Sequence, residues 1–379
     1  MTMAPAPFQT EVLQTDSTNW VMGPYHPGLP GLMQLKLVLD GELVVSARTE
    51  TGFAHRGLEK VFESEGWTAG VLISDRLDPE GAIFGELAYC QAVEDLAGIE
   101  VSERALFVRT LAAELSRVVS HLGFVARLAR TVGAETLFHY VQRDREKFVD
   151  LFELLTGARF SLNFLRMGGV VHDVTDGFLE RVLEVCAVMR HRFKEYNDLF
   201  SYNQAFLGRA RATANITPEA AKRVGLTGPN ARASGIAMDT RRWAPHAAYS
   251  KLDFDVVMGE EREGDCHGRY MIRIREIVQS MDIIRQCSEI MPTGSALGLK
   301  ADEKFKIPIG EGFSRVESSR GLLTCHVLSA GGERPSRVHF RVPSRAPLDL
   351  LPEIIPGCQL EDIPLVLASL DLNLAEIDR

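Results

Sequence analysis

Between residues 102 and 131, Leu111, Leu115, Val118, Leu122, Val125 and Leu128 recur at intervals of three and four. An α-helix turns residues at that spacing to one side. Ser102 stands where its hydroxyl can cap the first turn. A helix of about 30 residues is about 45 Å long at about 1.5 Å per residue. An apolar stripe of that length needs helices of similar length to cover it. The pattern demands a bundle. Residues 84–97, 144–156, 176–200 and 265–291 supply further helical segments, the last carrying Tyr270, Ile274, Ile277, Met281 and Ile284 at bundle spacing.

The N-terminal segment has a period of two. From Leu32 to Ala47 apolar residues flank Asp40-Gly41-Glu42, and Asp-Gly between such runs signals a hairpin. Alternation returns over 312–342, and a last helix is expected over 361–369. Residues 201–264 form a loop-rich insert with Gly225, Gly228, Pro229, Gly235 and Pro245; loops this long are usually functional or covered by a partner. The expectation is a single α+β domain over 19–379 with a central long-helix bundle. It has β elements over 19–50, the bundle over 80–291, a β/α segment over 305–379, and a loose Pro-rich lead over 1–18.

Composition excludes several classes. A net charge of −9 offers no basic face for a nucleic acid. No run of 18 apolar residues occurs, so no bilayer-spanning helix is expected. Met-Thr-Met-Ala-Pro-Ala-Pro lacks a charged region and an apolar one, so secretion is not expected. Cys90, Cys186, Cys266, Cys287, Cys325 and Cys358 are never closer than 21 residues. Without a C-x-x-C pair, a self-contained zinc or iron–sulfur site is not expected, and six reduced thiols are.

The segment Gly23-Pro24-Tyr25-His26-Pro27-Gly28-Leu29-Pro30-Gly31 fixes a loop with prolines and glycines around one imidazole. Its first five residues, Gly23-Pro24-Tyr25-His26-Pro27, are the first of a dozen ordered strings that resemble one family. The others include Gly52-Phe53-Ala54-His55-Arg56-Gly57-Leu58-Glu59-Lys60, Asp75-Arg76-Leu77-Asp78, Thr156-Gly157-Ala158-Arg159, Arg166-Met167-Gly168-Gly169-Val170, Gly225-Leu226-Thr227-Gly228-Pro229 and Ser369-Leu370-Asp371. Together they run from about residue 20 to the last residue. The chain resembles the D subunit of NADH–quinone oxidoreductase, the complex I component related to the large subunit of nickel–iron hydrogenases.

The resemblance implies a hydrogenase large-subunit-like fold and a peripheral place on the cytoplasmic side of the cell membrane. The implied neighbours are a small iron–sulfur subunit, other peripheral-arm subunits and a membrane-arm subunit. Iron–sulfur clusters and FMN then belong to other subunits, with no cofactor on this chain. Electrons from NADH reach a quinone in a cavity shared with the cluster-bearing neighbour. A nickel site would need two thiolate pairs, but the corresponding slots hold Asp78 with Gly81 and Asn373 with Glu376. A nickel–iron centre is excluded.

Quinone reduction needs acid donors within hydrogen-bond reach. The resemblance places them where this chain has Pro30 for a histidine, Pro79 for a tyrosine and Thr131 for the histidine's carboxylate partner. A histidine near the last cluster is Ser161 here. Proline carries neither a side-chain proton nor an N–H. Loss of the histidine would leave its carboxylate unpaired, and Thr131 removes that charge. His26, Pro30, Pro79 and Thr131 are expected to line the cavity, with no confident catalytic residue among them. His26 either touches a ligand or bonds its own loop.

Arg56, Arg76, Asp78 and Ser161 are expected near the neighbour's cluster. Arg56 with Glu59 or Lys60 forms either an ionic network beneath the cavity or a solvated helix start. Asp78 is assigned to holding the backbone or Arg76. His55 and His121 read as structural, and Asp173 as a partner of His172 or a cap. Asp265-Cys266-His267 point apart on a helix and are not a metal site. Two functions follow: a D-like subunit forming a quinone-type acceptor cavity, or a diverged scaffold or coupling subunit without ordinary quinone reduction.

Overall fold

The computed structural model describes residues 17–259, 264–300 and 306–379. Strands β1 (Thr18–Met22), β2 (Gln34–Asp40) and β3 (Leu43–Glu50) form an antiparallel sheet in that order. Asp40 pairs with Leu43 across the expected turn, where Gly41 takes the positive φ of 60° that a two-residue hairpin loop requires. The lead expected over 1–18 lies outside the described residues, apart from residue 17 and Thr18, which opens β1.

Two short helices, α1 (Leu58–Ser64) and α2 (Trp67–Ser74), precede α3 (Ala82–Ala97). Then come α4 (Glu103–Thr131) and α5 (Glu135–Thr156). Ser102 caps α4 as expected, its Oγ accepting from the Ala105 N–H at 3.2 Å. Helix α5 begins nine residues before the expected 144, because only Val132, Gly133 and Ala134 interrupt the chain after α4. Gly133 makes that reversal at φ 77°.

A two-stranded ribbon, β4 (Leu165–Arg166) with β5 (Gly169–Val170), leads to α6 (Phe178–Tyr196), which ends in a π-turn over Asn197–Ser201. The insert expected as loop carries four short helices: α7 (Gln204–Ala210), α8 (Pro218–Val224), α9 (Gly228–Ala233) and α10 (Thr240–Trp243). After α11 (Cys266–Glu289) come the antiparallel strands β6 (Gly310–Glu317), β7 (Leu322–Ser329) and β8 (Arg337–Arg341). The chain closes with α12 (Arg345–Ile354), α13 (Ile363–Leu370) and α14 (Leu374–Ile377).

Helix α4 is the axis. It packs against α5, α11 and α13, and its interior is buried well beyond the expected stripe. Its charged residues must therefore find partners inside. Arg109 pairs with Glu94 at 2.6 Å, Glu114 with Arg241 at 3.1 Å, and His121 with Glu276 at 3.0 Å. Glu276 is the stronger acid of its pair. Burial would raise its pKa, but Arg232 and the His121 hydrogen bond hold it well below the usual carboxylate range.

Helix α3 approaches the end of α2 so closely that a Cβ on Gly85 would lie 2.2 Å from the Ser74 carbonyl oxygen. This contact anchors the 75–81 loop, which carries Asp78 and Pro79. Gly85→Ala is expected to destabilise the chain by about 1–3 kcal/mol, read as a lower denaturant midpoint with an unchanged slope.

Candidate functional site

The 23–31 loop is shaped by its backbone. A Cβ on Gly23 (φ 100°) would lie 2.1 Å from the Met33 carbonyl oxygen, so only glycine closes the loop there. Gly28 abuts Pro364 and Gly31 abuts Leu374, which seats the loop on α13 and α14. The Gly28 N–H donates to His26 Nδ1 at 3.1 Å. In the neutral imidazole the proton is then on Nε2.

Between this loop, the 75–81 loop, the end of α4 and the α13–α14 segment lies a cavity of about 860 Å³. His26, Pro30, Pro79 and Thr131 all line it. Residues far apart in sequence thus meet in one hollow. Pro30 and Pro79 contribute apolar wall, as do Leu29, Pro364 and Leu367. The Thr131 hydroxyl is turned back on its helix, donating to the Arg127 carbonyl at 2.9 Å.

The polar side of the cavity was not foreseen. Glu80, Arg127, Arg320 and Asp371 line it. Arg127 pairs with Glu80 and, at 2.7 Å, with Asp371. Arg320 reaches Glu80 at 2.8 Å and Asp371 at 3.4 Å, and also holds Asp78. Burial pushes Glu80 and Asp371 up, but the guanidiniums outweigh it and both carboxyls sit below their usual pKa. Asp371 was visible only as the end of a matched string, and no string or spacing in the sequence marks Arg127. Nothing local marks Arg320, which enters from the turn between β6 and β7.

The remaining candidates fall elsewhere. Asp78 does not pair with Arg76: it accepts from Arg320, from Asn373 Nδ2 at 2.8 Å and from the Glu80 N–H at 3.2 Å. Arg76 is half-exposed and pairs with Asp75 at 3.0 Å. Arg56 joins no ionic network among the described residues. It donates to the carbonyls of Arg76 (2.9 Å) and Ala375 (3.0 Å), tying the 75–81 loop to α14. The network forms around Glu59 instead, with Arg337 at 2.8 Å and Arg379 at 2.9 Å, while Lys60 pairs on the surface with Glu63.

Ser161, at φ 57° after α5, is not among the cavity-lining residues. Asp173 pairs with Arg104 at 2.7 Å rather than with His172. Asp265 caps α11, accepting from the Gly268 N–H at 2.7 Å. His55 bonds the Asp378 carbonyl at 3.0 Å. His121 is a core histidine as expected, its Nε2 bonded to Glu276, but its Nδ1 is buried without a hydrogen-bond partner.

The four slots where thiolates would hold nickel do converge. Asn373 bonds Asp78, and a Cβ on Gly81 would lie 2.7 Å from Asp78 Oδ2. Glu376 accepts from the Ser344 N–H at 3.0 Å, and the Ser344 hydroxyl accepts from the Asn373 N–H at 3.1 Å. Two carboxyls, an amide and a glycine give no soft ligand, so nickel does not fit. Burial, reinforced by Asp78, pushes the Glu376 carboxyl up to about 7.

Known proteins share this architecture. Residues 131–303 and 298–379 match the family described as respiratory-chain NADH dehydrogenase, 49 Kd subunit. The D subunit of NADH-quinone oxidoreductase from Desulforamulus reducens is 39% identical, covering 97% of this chain and 99% of the relative. Its namesake from Carboxydothermus hydrogenoformans is 38% identical, covering 97% and 100%. A solved structure of a membrane-bound sulfane sulfur reductase, an archaeal respiratory membrane complex, superposes with a TM-score of 0.91 at 33% identity, covering 97% of this chain and 100% of that one.

Proposed function

The chain belongs to the family of the 49 kDa subunit of respiratory-chain NADH dehydrogenase, and from that premise we propose that it is a diverged D-type subunit that keeps the fold and the cavity but does not carry out ordinary quinone reduction. Membership makes it a subunit of a respiratory enzyme complex. The proposal adds that its docking partners are a small iron–sulfur subunit and a membrane-arm subunit on the cytoplasmic side. In this reading iron–sulfur clusters and FMN reside on neighbouring chains.

One observation carries the reading. Pro30, Pro79 and Thr131 meet in one cavity, at the positions where the resemblance puts a histidine, a tyrosine and a carboxylate. A quinone needs a proton at each of two oxygens, and general acids at that task contribute about 10²–10⁴-fold. Two prolines can donate nothing. The purified complex is expected to oxidise its electron donor while reducing ubiquinone only weakly. Ubiquinone turnover at the rate of donor oxidation, blocked by cavity inhibitors, would contradict the proposal.

A second reading is favoured by the cavity's charge and by the sulfane sulfur reductase likeness. Arg130 lines the cavity and, among the described residues, forms no ion pair; its guanidinium lies over the Phe138 ring. Arg127 and Arg320 are matched by Glu80, Asp371 and Asp78, so Arg130 is the unmatched cation on the wall that would favour an anionic acceptor. Reductive cleavage of a sulfur–sulfur bond leaves stable sulfur anions and needs fewer protons than a quinone. The same preparation assayed with polysulfide separates this reading from a scaffold, which would reduce neither acceptor.

A further inference from the structure

We propose that the outward face of the β6–β8 sheet docks an acidic segment of another subunit of the complex, whose carboxylates are received by Arg315 and Arg341. Docking there is independent of which acceptor the cavity serves.

Strand pairing sets the face. Side chains alternate between the two sides of a sheet, and cross-strand partners share a side. Val316, Cys325, Val327, Val338 and Phe340 are buried on the inner side, where α3 packs on β6 and β7 and α1 on β8. The outer side is built in rows. Arg315 pairs with Thr324 and Thr324 with Arg341, while Phe313 pairs with His326 and His326 with His339. Both arginines are exposed, and Thr324 between them is 9% exposed.

Neither arginine forms an ion pair among the described residues. The Arg315 guanidinium lies over the Phe313 ring at 4.7 Å and over the Trp243 ring, brought by α10, at 5.9 Å. The rings steady the cation without neutralising it. The Arg341 guanidinium donates to the Gly225 carbonyl at 3.1 Å, which also leaves its charge unmatched. Glu311 lies two rows from Arg315 and bonds His326 at 3.0 Å. Glu59, at the margin, is taken by Arg337 and Arg379. Beside Arg341 the face dips into a hollow of about 370 Å³ that Arg345 and Arg379 also line. The acid lining it, Asp349, is already paired with Arg345 at 3.1 Å.

Charge and rings together define the occupant. The chain carries a net charge of −9, yet this face presents unmatched cations. Trp243 is 63% exposed and Phe313 41%. Aromatic residues and arginine are the types that interfaces enrich and on which binding energy concentrates. A second copy of this chain is a poor occupant, because two-fold pairing sets the patch against itself and brings like charges together. Two strand spacings, about 10 Å, separate the arginines at the backbone. A segment with two acids a few residues apart and an apolar side chain for Trp243 satisfies the whole face. Membership of a multi-subunit complex supplies such neighbours.

The test begins with the assembled complex carrying photoreactive benzoylphenylalanine in place of Trp243. Irradiation is expected to join this chain to another subunit within a segment of net negative charge. A synthetic peptide of that segment should bind the full-length chain. Arg315→Glu with Arg341→Glu should weaken that binding about tenfold or more, and Arg315→Lys with Arg341→Lys should retain most of it. Since both side chains are exposed and form no ion pair, the thermal midpoint of the charge-reversed chain should match wild type. Trp243→Ala, which removes only an exposed ring, should weaken the same peptide and serves if charge reversal disturbs the sheet.

A cross-link confined to a second copy of this chain or to lipid overturns the proposal, as does the absence of any cross-link in the intact complex. So does a peptide bound equally well by wild type and the charge-reversed chain, or by neither.

Discussion

Arg320→Ala is expected to cost about 3–5 kcal/mol of folding stability, the usual consequence of removing one partner from a buried ionic network. Asp78, Glu80 and Asp371 all bear on this guanidinium, which also donates through Nε to the Asp371 carbonyl at 2.9 Å. Arg127 and Arg273 cannot cover all three acids. The loss should depend on pH with a definite sign. Glu80 and Asp371 have depressed folded pKa values, so their contribution is present above the unfolded carboxylate range and is lost as pH falls through their folded values.

The gap between wild type and Arg320→Ala should therefore be widest at neutral pH and narrow in acid. Chemical denaturation of the full-length chain across that range checks it. Arg320→Lys should rescue little, because a point charge cannot reproduce a planar fork shared among three acids. A gap independent of pH would mean that the residue acts through packing alone.

The second large effect is a gain. The triple variant Pro30→His, Pro79→Tyr, Thr131→Asp places an imidazole, a phenol and a carboxylate on the same cavity wall. Its ubiquinone-dependent turnover in the assembled complex should rise about 100-fold or more over wild type, the scale of positioned acid catalysis. Pro30→His without Thr131→Asp should gain less, since the imidazole then lacks a carboxylate to orient it. If the triple variant folds, docks and still reduces ubiquinone no faster, missing donors are not what limits this cavity.

Much of the fold was legible because period and capping are local. The α4 stripe, Ser102 and the Asp40-Gly41 turn each announce an element within a few residues. Helices α1 and α2 were missed: Leu58–Ser64 and Trp67–Ser74 are only 7 and 8 residues long, too short for a period to declare itself. The start of α5 was missed because a reversal of three residues resembles an ordinary stretch of helix surface.

The cavity was legible in part for a different reason. His26, Pro30, Pro79 and Thr131 were placed by the resemblance, and the fold does bring them together around one cavity. The ionic floor was invisible because it is made between distant segments. Arg320 lies 242 residues from Asp78, and no spacing rule links them. Asp78 was assigned to the backbone or to Arg76: it does accept from the Glu80 N–H, but the fold turns it inward to Arg320 and Asn373 instead of to Arg76.

The most direct test is a cryo-EM map of the assembled complex with a short-chain ubiquinone at saturating concentration. The account predicts no ordered quinone head group hydrogen-bonded to the cavity wall. The place to look is His26, whose Nε2 is the imidazole N–H on that wall not bonded within its own loop. A head-group oxygen within bonding distance of that nitrogen would contradict the claim that the hollow has been rebuilt for something else.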